Sequence, residues 1–161
     1  MKQGITAEQI KEARAKYDLY NTNEWNKNFF DKDTGGYLVT EKARIVQSEK
    51  SVNEFKKFDK EQGMCKVLAR NGFAVEHLDD MNGSSYDIHL NGIKADLKKT
   101  VSHNNMVHYA KKATNEQGAE MVVFEFDAMT GKIHEELNKL KRIGINVLYF
   151  TSENKNIIRT P

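Results

Sequence analysis

Four side chains in this sequence combine a residue type and a spacing that could do chemistry: Glu61, Asp87, Asp96 and Lys98. Three of them flank Asn91-Gly92 within YDIHLNGIKADLKKT, residues 86–100. That dipeptide tolerates positive φ at both positions and predicts a two-residue hairpin turn. Counting outward from the turn pairs Leu90 with Ile93, Ile88 with Ala95, and Asp87 with Asp96. Like charges directly opposite across a sheet are destabilising. Such a pair shares a proton, binds a cation, or sits where water screens it. Because side chains alternate along a strand, Asp96 and Lys98 project to one face, while Ile93, Ala95 and Leu97 project to the other. Two carboxylates set against one lysine leave a negative patch. It suits a hard divalent cation, which takes carboxylate oxygens and keeps waters for a substrate phosphate. The plain alternative is a solvated face on which Asp87, Lys94, Asp96 and Lys98 trade surface ion pairs worth little.

The fourth residue belongs to a helix expected over Val52–Asn71, with Asn71-Gly72 as its stop. Phe58, Glu61, Cys65 and Leu68 recur at helical spacing, which sets Glu61 inside the apolar stripe. A carboxylate pointing at a sheet is costly unless it is paired, protonated or metal-bound. A small rotation of the helix would instead return Glu61 to solvent.

The remaining elements follow from period and punctuation. Thr6 with Glu8 and Gln9 starts a short amphipathic helix, and polar text from Asn21 to Gly36 leads to a brief extended GYLVT. Phe73–Leu78 reads as a strand and DDMNGSS as a loop, and the hairpin strands come next. A helix over Asn104–Glu116, a buried strand EMVVFEF, a helix over Thr130–Ile143 ended by Gly144, and a buried strand INVLYFT complete the order. Continuous apolar strands alternating with helices call for parallel pairing, and the hairpin adds an antiparallel pair. The expected fold is α/β (α+β), a mixed central sheet flanked by helices, with residues 1–35 as a helical lead-in and 36–161 as the main domain.

A length of 161 residues with 39% hydrophobic content supports one domain with a real core. The net charge of +2 gives no bulk case for nucleic-acid binding, so that case must come from local patches. Cys65 is the sole cysteine, which excludes an internal disulfide and a cysteine-only zinc site; it reads as a buried core thiol. No apolar run reaches transmembrane length, and the first residues lack the apolar core of a signal peptide. The chain reads as soluble and working in a cytoplasm, or as a fragment of a larger secreted protein.

An acid on a helix, Glu61, an aspartate in a strand, Asp87, and Asp96-Leu97-Lys98 in the next strand resemble the PD-(D/E)xK nuclease superfamily, with Tyr86 where the name's proline would stand. From about Gly36 to Phe150 the stretches GYLVTEKAR, FDKEQGMCKVLARNGFAVEHL, YDIHLNGIKADLKKT and KKATNEQGAEMVVFEF look like the CdiA-type C-terminal tRNA nuclease domain of contact-dependent inhibition and related polymorphic bacterial toxins. The resemblance implies a restriction-endonuclease-like core. Its implied activity is a toxin that cleaves RNA, above all tRNA, in a competitor's cytoplasm, acting as the C-terminal part of a larger secreted protein and neutralised by a cognate immunity protein. It further implies Asp87 and Asp96 as metal ligands, Glu61 as a direct or water-mediated ligand, and Lys98 as the residue that orients attacking water or stabilises the phosphorane charge. Gln117 matches a glutamine often found in the superfamily, and otherwise caps a helix end. The implied cofactor is a divalent cation, Mg²⁺ first, with Mn²⁺ or Zn²⁺ as alternatives. RNA cut through its own 2′-hydroxyl would need none.

Just beyond the motif, Lys98, Lys99, His103, His108, Lys111 and Lys112 form a basic cluster suited to phosphate contacts. Tyr109 has the ring to stack on an unpaired base. Charges on an exposed helix face are also ordinary, and the two histidines have no zinc-finger spacing. Two further readings stand beside the ribonuclease: a DNA endonuclease on the same core, and an inactive domain that binds a protein partner.

Overall fold

The computed structural model describes residues 4–80, 85–100 and 102–161. The expected loop over 79–85 therefore has residues 81–84 outside the described ones. Five helices and eight strands are described: α1 (Ala7–Asp18), β1 (Trp25–Phe30), β2 (Tyr37–Glu41), α2 (Lys42–Ser48), α3 (Val52–Arg70), β3 (Ala74–His77), β4 (Ile88–Leu90), β5 (Ile93–Thr100), α4 (Met106–Asn115), β6 (Met121–Phe126), α5 (Gly131–Arg142), β7 (Val147–Thr151) and β8 (Asn154–Arg159). The strands follow chain order in an eight-stranded sheet. Pairing is mixed, with β2/β3, β5/β6 and β6/β7 parallel and β1/β2 and β7/β8 antiparallel. The fold is the expected mixed α/β class.

Helix boundaries follow their caps. Thr6 and Gln9 form a reciprocal capping box on α1, with N–H to side-chain oxygen distances of 2.9 and 3.1 Å. Ser51 accepts from the Glu54 N–H at the start of α3, and Thr130 from the Ile133 N–H at the start of α5. Gly72 (φ 97°) and Gly144 (φ 81°) take the left-handed conformation that ends α3 and α5.

The chain divides into two compact units. The first comprises Met1–Asp79 with His89–Gly92. Here β1 pairs with β2 from Trp25↔Glu41 to Phe30↔Tyr37, so the polar lead-in expected before GYLVT contains a strand. One face of β2 and β3 carries Tyr37 and Val39, packed with Tyr17 of α1 and flanked by Tyr20, Trp25 and Phe30. The opposite face presents Thr40 and His77, paired in register, to α3. Helix α3 buries Met64, Cys65, Val67, Leu68 and Ala69, each large side chain contributing about 1.5–3 kcal/mol of transfer free energy. Cys65 is fully buried, as its place in the stripe predicts.

The second unit comprises Asp80–Ile88 with Ile93–Pro161. Parallel pairing aligns Asp96 with Val122, Lys98 with Phe124 and Lys99 with Glu125. One face of this sheet carries Val122, Phe124, Phe126, Val147 and Tyr149, which form a core with Met106, Ala110 and Ala113 of α4 and Ile133, Leu137 and Leu140 of α5. Alternation places Asp96 and Lys98 on that helix-covered face and Lys99 with Glu125 on the other. Among the described residues, no helix is long and apolar enough to cross a membrane.

Candidate functional site

Between β4 and β5, Asn91 (φ 50°) and Gly92 (φ 82°) adopt the positive-φ pair that the sequence demands of a type I′ turn. The Asn91 side chain accepts from the Ala74 N–H at 2.8 Å, and its own N–H donates to the Ala74 carbonyl at 2.8 Å. The turn is thereby fastened to the start of β3.

Asp87 departs from the register counted outward from this turn. It lies one residue before β4, and its N–H donates to the Ala95 carbonyl at 3.1 Å, so it is not a ladder partner of Asp96. In regular pairing the Leu97 N–H would bond the Tyr86 carbonyl. Here it donates to Asp87 Oδ2 at 2.8 Å. A buried carboxylate has replaced a backbone acceptor, which removes the like-charge pair and joins Asp87 to the residue between Asp96 and Lys98.

Asp96 is 3% exposed. Its Oδ2 accepts from the Tyr109 hydroxyl at 2.5 Å, and the same hydroxyl lies 3.2 Å from the Leu97 carbonyl oxygen. Lys98 Nζ sits 4.8 Å from the centroid of the Tyr109 ring, a cation–π distance. The strand period thus brings Asp96 and Lys98 together, as expected, and the α4 side chain that receives both is Tyr109. Tyr109, read from sequence as a ring for stacking on an unpaired base, is engaged here through its hydroxyl and its ring.

The basic cluster divides. Lys98, His108 and Lys112 line a cleft of about 690 Å³ with Thr100, Asn104 and Tyr109. Lys99 lies on the opposite sheet face, where its Nζ is 3.4 Å from Glu125 Oε2. The same oxygen accepts from the Ser152 hydroxyl at 2.6 Å. His103 and Lys111 are outside the cleft lining. Gln117 follows α4, and its buried Oε1 has no partner among the described residues.

Glu61 is buried in the first unit, and it is paired. His77 Nε2 donates to Glu61 Oε1 at 2.8 Å, and Arg44 Nη2 donates to the same oxygen at 3.2 Å. The Gln62 amide donates to His77 Nδ1 at 2.7 Å and to Thr40 Oγ1 at 2.9 Å, and Thr40 donates to Asn28 Oδ1 at 2.7 Å. Phe58 stacks on the His77 ring at 5.4 Å and lies 5.1 Å from the Arg44 guanidinium carbon. Burial opposes ionisation of Glu61, but the hydrogen bond from His77, then the charges of Arg44 and Lys57, outweigh it and hold the carboxyl below its usual range. Sequence spacing exposed the problem of a carboxylate in an apolar stripe but not its solution, because Arg44 and His77 belong to other elements.

The donor set bears on which metal would fit. Among the described residues no three His, Cys, Asp or Glu side chains are grouped to hold an ion, as a protein-ligated zinc would require. Mg²⁺ asks less of a protein, one or two carboxylates completed by water and substrate phosphate. Asp87 and Asp96 are buried carboxylates of the donor type such an ion takes.

No protein-family model and no curated protein matches the sequence. Among solved structures, a CdiA-CT/CdiI toxin and immunity complex from Burkholderia pseudomallei contains a chain similar in fold, with a TM-score of 0.52 and 18% identity over 70% of this chain and 91% of that one. The likeness supports a CdiA-CT-like fold.

Proposed function

We propose that this chain is a toxin nuclease domain that cleaves RNA, tRNA above all, by divalent-metal-assisted attack on a phosphodiester, and that a cognate immunity protein restrains it. The observation that carries this reading is the meeting of Asp96 and Lys98 on one Tyr109 side chain, at a cleft lined by Lys98, His108 and Lys112. A buried carboxylate and an ammonium that both engage one tyrosine of a basic cleft suit phosphoryl chemistry. The likeness in fold to a chain of a toxin and immunity complex supports the toxin part and the immunity partner. In this reading the domain acts in the cytoplasm of a target cell.

In this reading Asp87 and Asp96 hold the cation, and Lys98 compensates the charge that grows on the phosphoryl oxygens. When bound, the metal would polarise a phosphoryl oxygen and acidify a bound water. His108 and Lys112 position neighbouring phosphates. Gln117 offers its buried acceptor.

The test is incubation of the purified chain with total cellular RNA and with plasmid, with Mg²⁺ or EDTA, beside Asp96→Ala. Discrete tRNA fragments that vanish in Asp96→Ala support the proposal, and EDTA sensitivity supports the metal. Loss of plasmid with intact RNA would move the activity to DNA. Untouched substrates in every lane would remove the nuclease reading.

A further inference from the structure

We propose that Tyr109 is a positioning residue that sets the geometry of the Asp96–Lys98 pair, an inference that rests on the nuclease reading above. Its two ends do different work. The hydroxyl reaches Asp96 Oδ2 at 2.5 Å and so fixes the rotation of a carboxylate that is 3% exposed, committing one oxygen and turning the other away from it. The ring lies 4.8 Å beneath Lys98 Nζ and holds the ammonium over a π face without neutralising it. Among the described residues Lys98 makes no ion pair, so this ring is what restrains a long, otherwise flexible side chain.

Tyr109 is itself held. Its ring meets Phe124 edge-on at 6.3 Å, and Phe124 is the register partner of Lys98 on β6. Met106 and Ala110, one turn or less along α4, are buried in the same core. Helix α4 therefore carries one rigid side chain onto two reacting groups from the neighbouring strand. Small displacements of such groups cost rate out of proportion to their effect on substrate binding.

The two ends can be separated. Tyr109→Phe removes the hydroxyl and keeps the ring, whereas Tyr109→Leu removes both. The expected result in RNA cleavage is a kcat lower by about tenfold or more in Tyr109→Phe with KM nearly unchanged, and a further loss in Tyr109→Leu. Proton NMR of the wild-type chain supplies a readout independent of activity: the Lys98 ε-methylene resonances should lie upfield of the other lysines through the ring current. They should stay there in Tyr109→Phe and return to the common position in Tyr109→Leu. Wild-type kcat in Tyr109→Phe, in an assay where Asp96→Ala is inactive, would overturn the proposal and leave the nuclease reading standing. Lys98 resonances unshifted in the wild type would overturn it whether or not the variants fold. Wild type inert on both RNA and plasmid would remove the reading and this inference with it.

Discussion

Asp87 accepts a hydrogen bond at 2.8 Å from the backbone N–H of Leu97, the residue between Asp96 and Lys98. The carboxylate stands where a backbone carbonyl would close a regular hairpin ladder, so it has a structural duty as well as its proposed chemical one. The two are separable by substitution. Asp87→Asn retains an oxygen for the Leu97 N–H, and its melting temperature should stay near that of the wild type while RNA cleavage is lost. Asp87→Ala leaves that N–H buried and unpaired beside a side chain only 7% exposed, at a cost of about 1–3 kcal/mol. That corresponds to a fall in melting temperature of about 2–4 °C per kcal/mol. Equal melting temperatures for the two variants would show that the bond has no structural weight.

Glu61 is the anion that balances Arg44, a side chain with no exposed surface whose Nε and Nη1 have no partner among the described residues. Removing the carboxylate would leave a buried guanidinium uncompensated, so Glu61→Ala should lose about 3–5 kcal/mol. Glu61→Gln keeps an acceptor but not the charge and should lose less. The pH dependence follows from the lowered folded-state pKa of Glu61. Its contribution is fully present above the unfolded carboxylate value of about 4.3 and is lost as pH falls through the folded value. Urea unfolding between pH 3 and 6, on the order of the range that brackets this titration, should show a shallower acid loss in Glu61→Gln than in the wild type. Parallel curves would refute the assignment.

Gly36 tests the close approach of β2 to the end of α3. A Cβ at this position would fall on the carbonyl oxygen of Ala69 and stand 2.9 Å from the Cα of Gly72. Both obstacles are backbone, which cannot rotate away as a side chain can. Gly36→Ala should therefore cost about 3 kcal/mol or more, the upper part of the range for overpacking. A circular-dichroism melt within a degree or so of the wild type would contradict the packing described, given about 2–4 °C per kcal/mol.

What could be read from the sequence depended on whether the signal was local. Helices α3 and α5 carry their own caps and stop glycines, and β6 and β7 are continuous apolar runs, so each was legible within its own residues. Strand β1, WNKNFF, alternates exposed and half-buried positions with polar side chains on the outside, and its pairing with β2 is a long-range fact. Strand β8 is almost wholly exposed, and α2 is short and buries Arg44 rather than an apolar stripe. The shared face of Asp96 and Lys98 follows from strand period alone. The shift at Asp87 does not, because pattern counting assumes that backbone carbonyls close the ladder and a side chain did so instead. Arg44 and His77 lie 17 and 16 residues from the glutamate they pair with, a distance at which neither period nor spacing identifies a partner.

The division of the lysines gives the last prediction. Lys112 lines the cleft beside Lys98 and His108, whereas Lys99, one residue from Lys98, faces the other way toward Glu125. If RNA phosphates bind in the cleft, Lys112→Ala should weaken binding across RNA sequences and reduce the slope of log affinity against log salt by about 1. Lys99→Ala should change neither by a comparable amount. It should affect stability only slightly, because Lys99 is 42% exposed and its ion pair is largely screened. Binding of the Asp96→Ala chain to RNA, measured by fluorescence anisotropy over a salt series, separates these effects from cleavage. A salt slope lowered equally by Lys99→Ala would place the phosphate path on the opposite face of the sheet and exclude the cleft as the main contact.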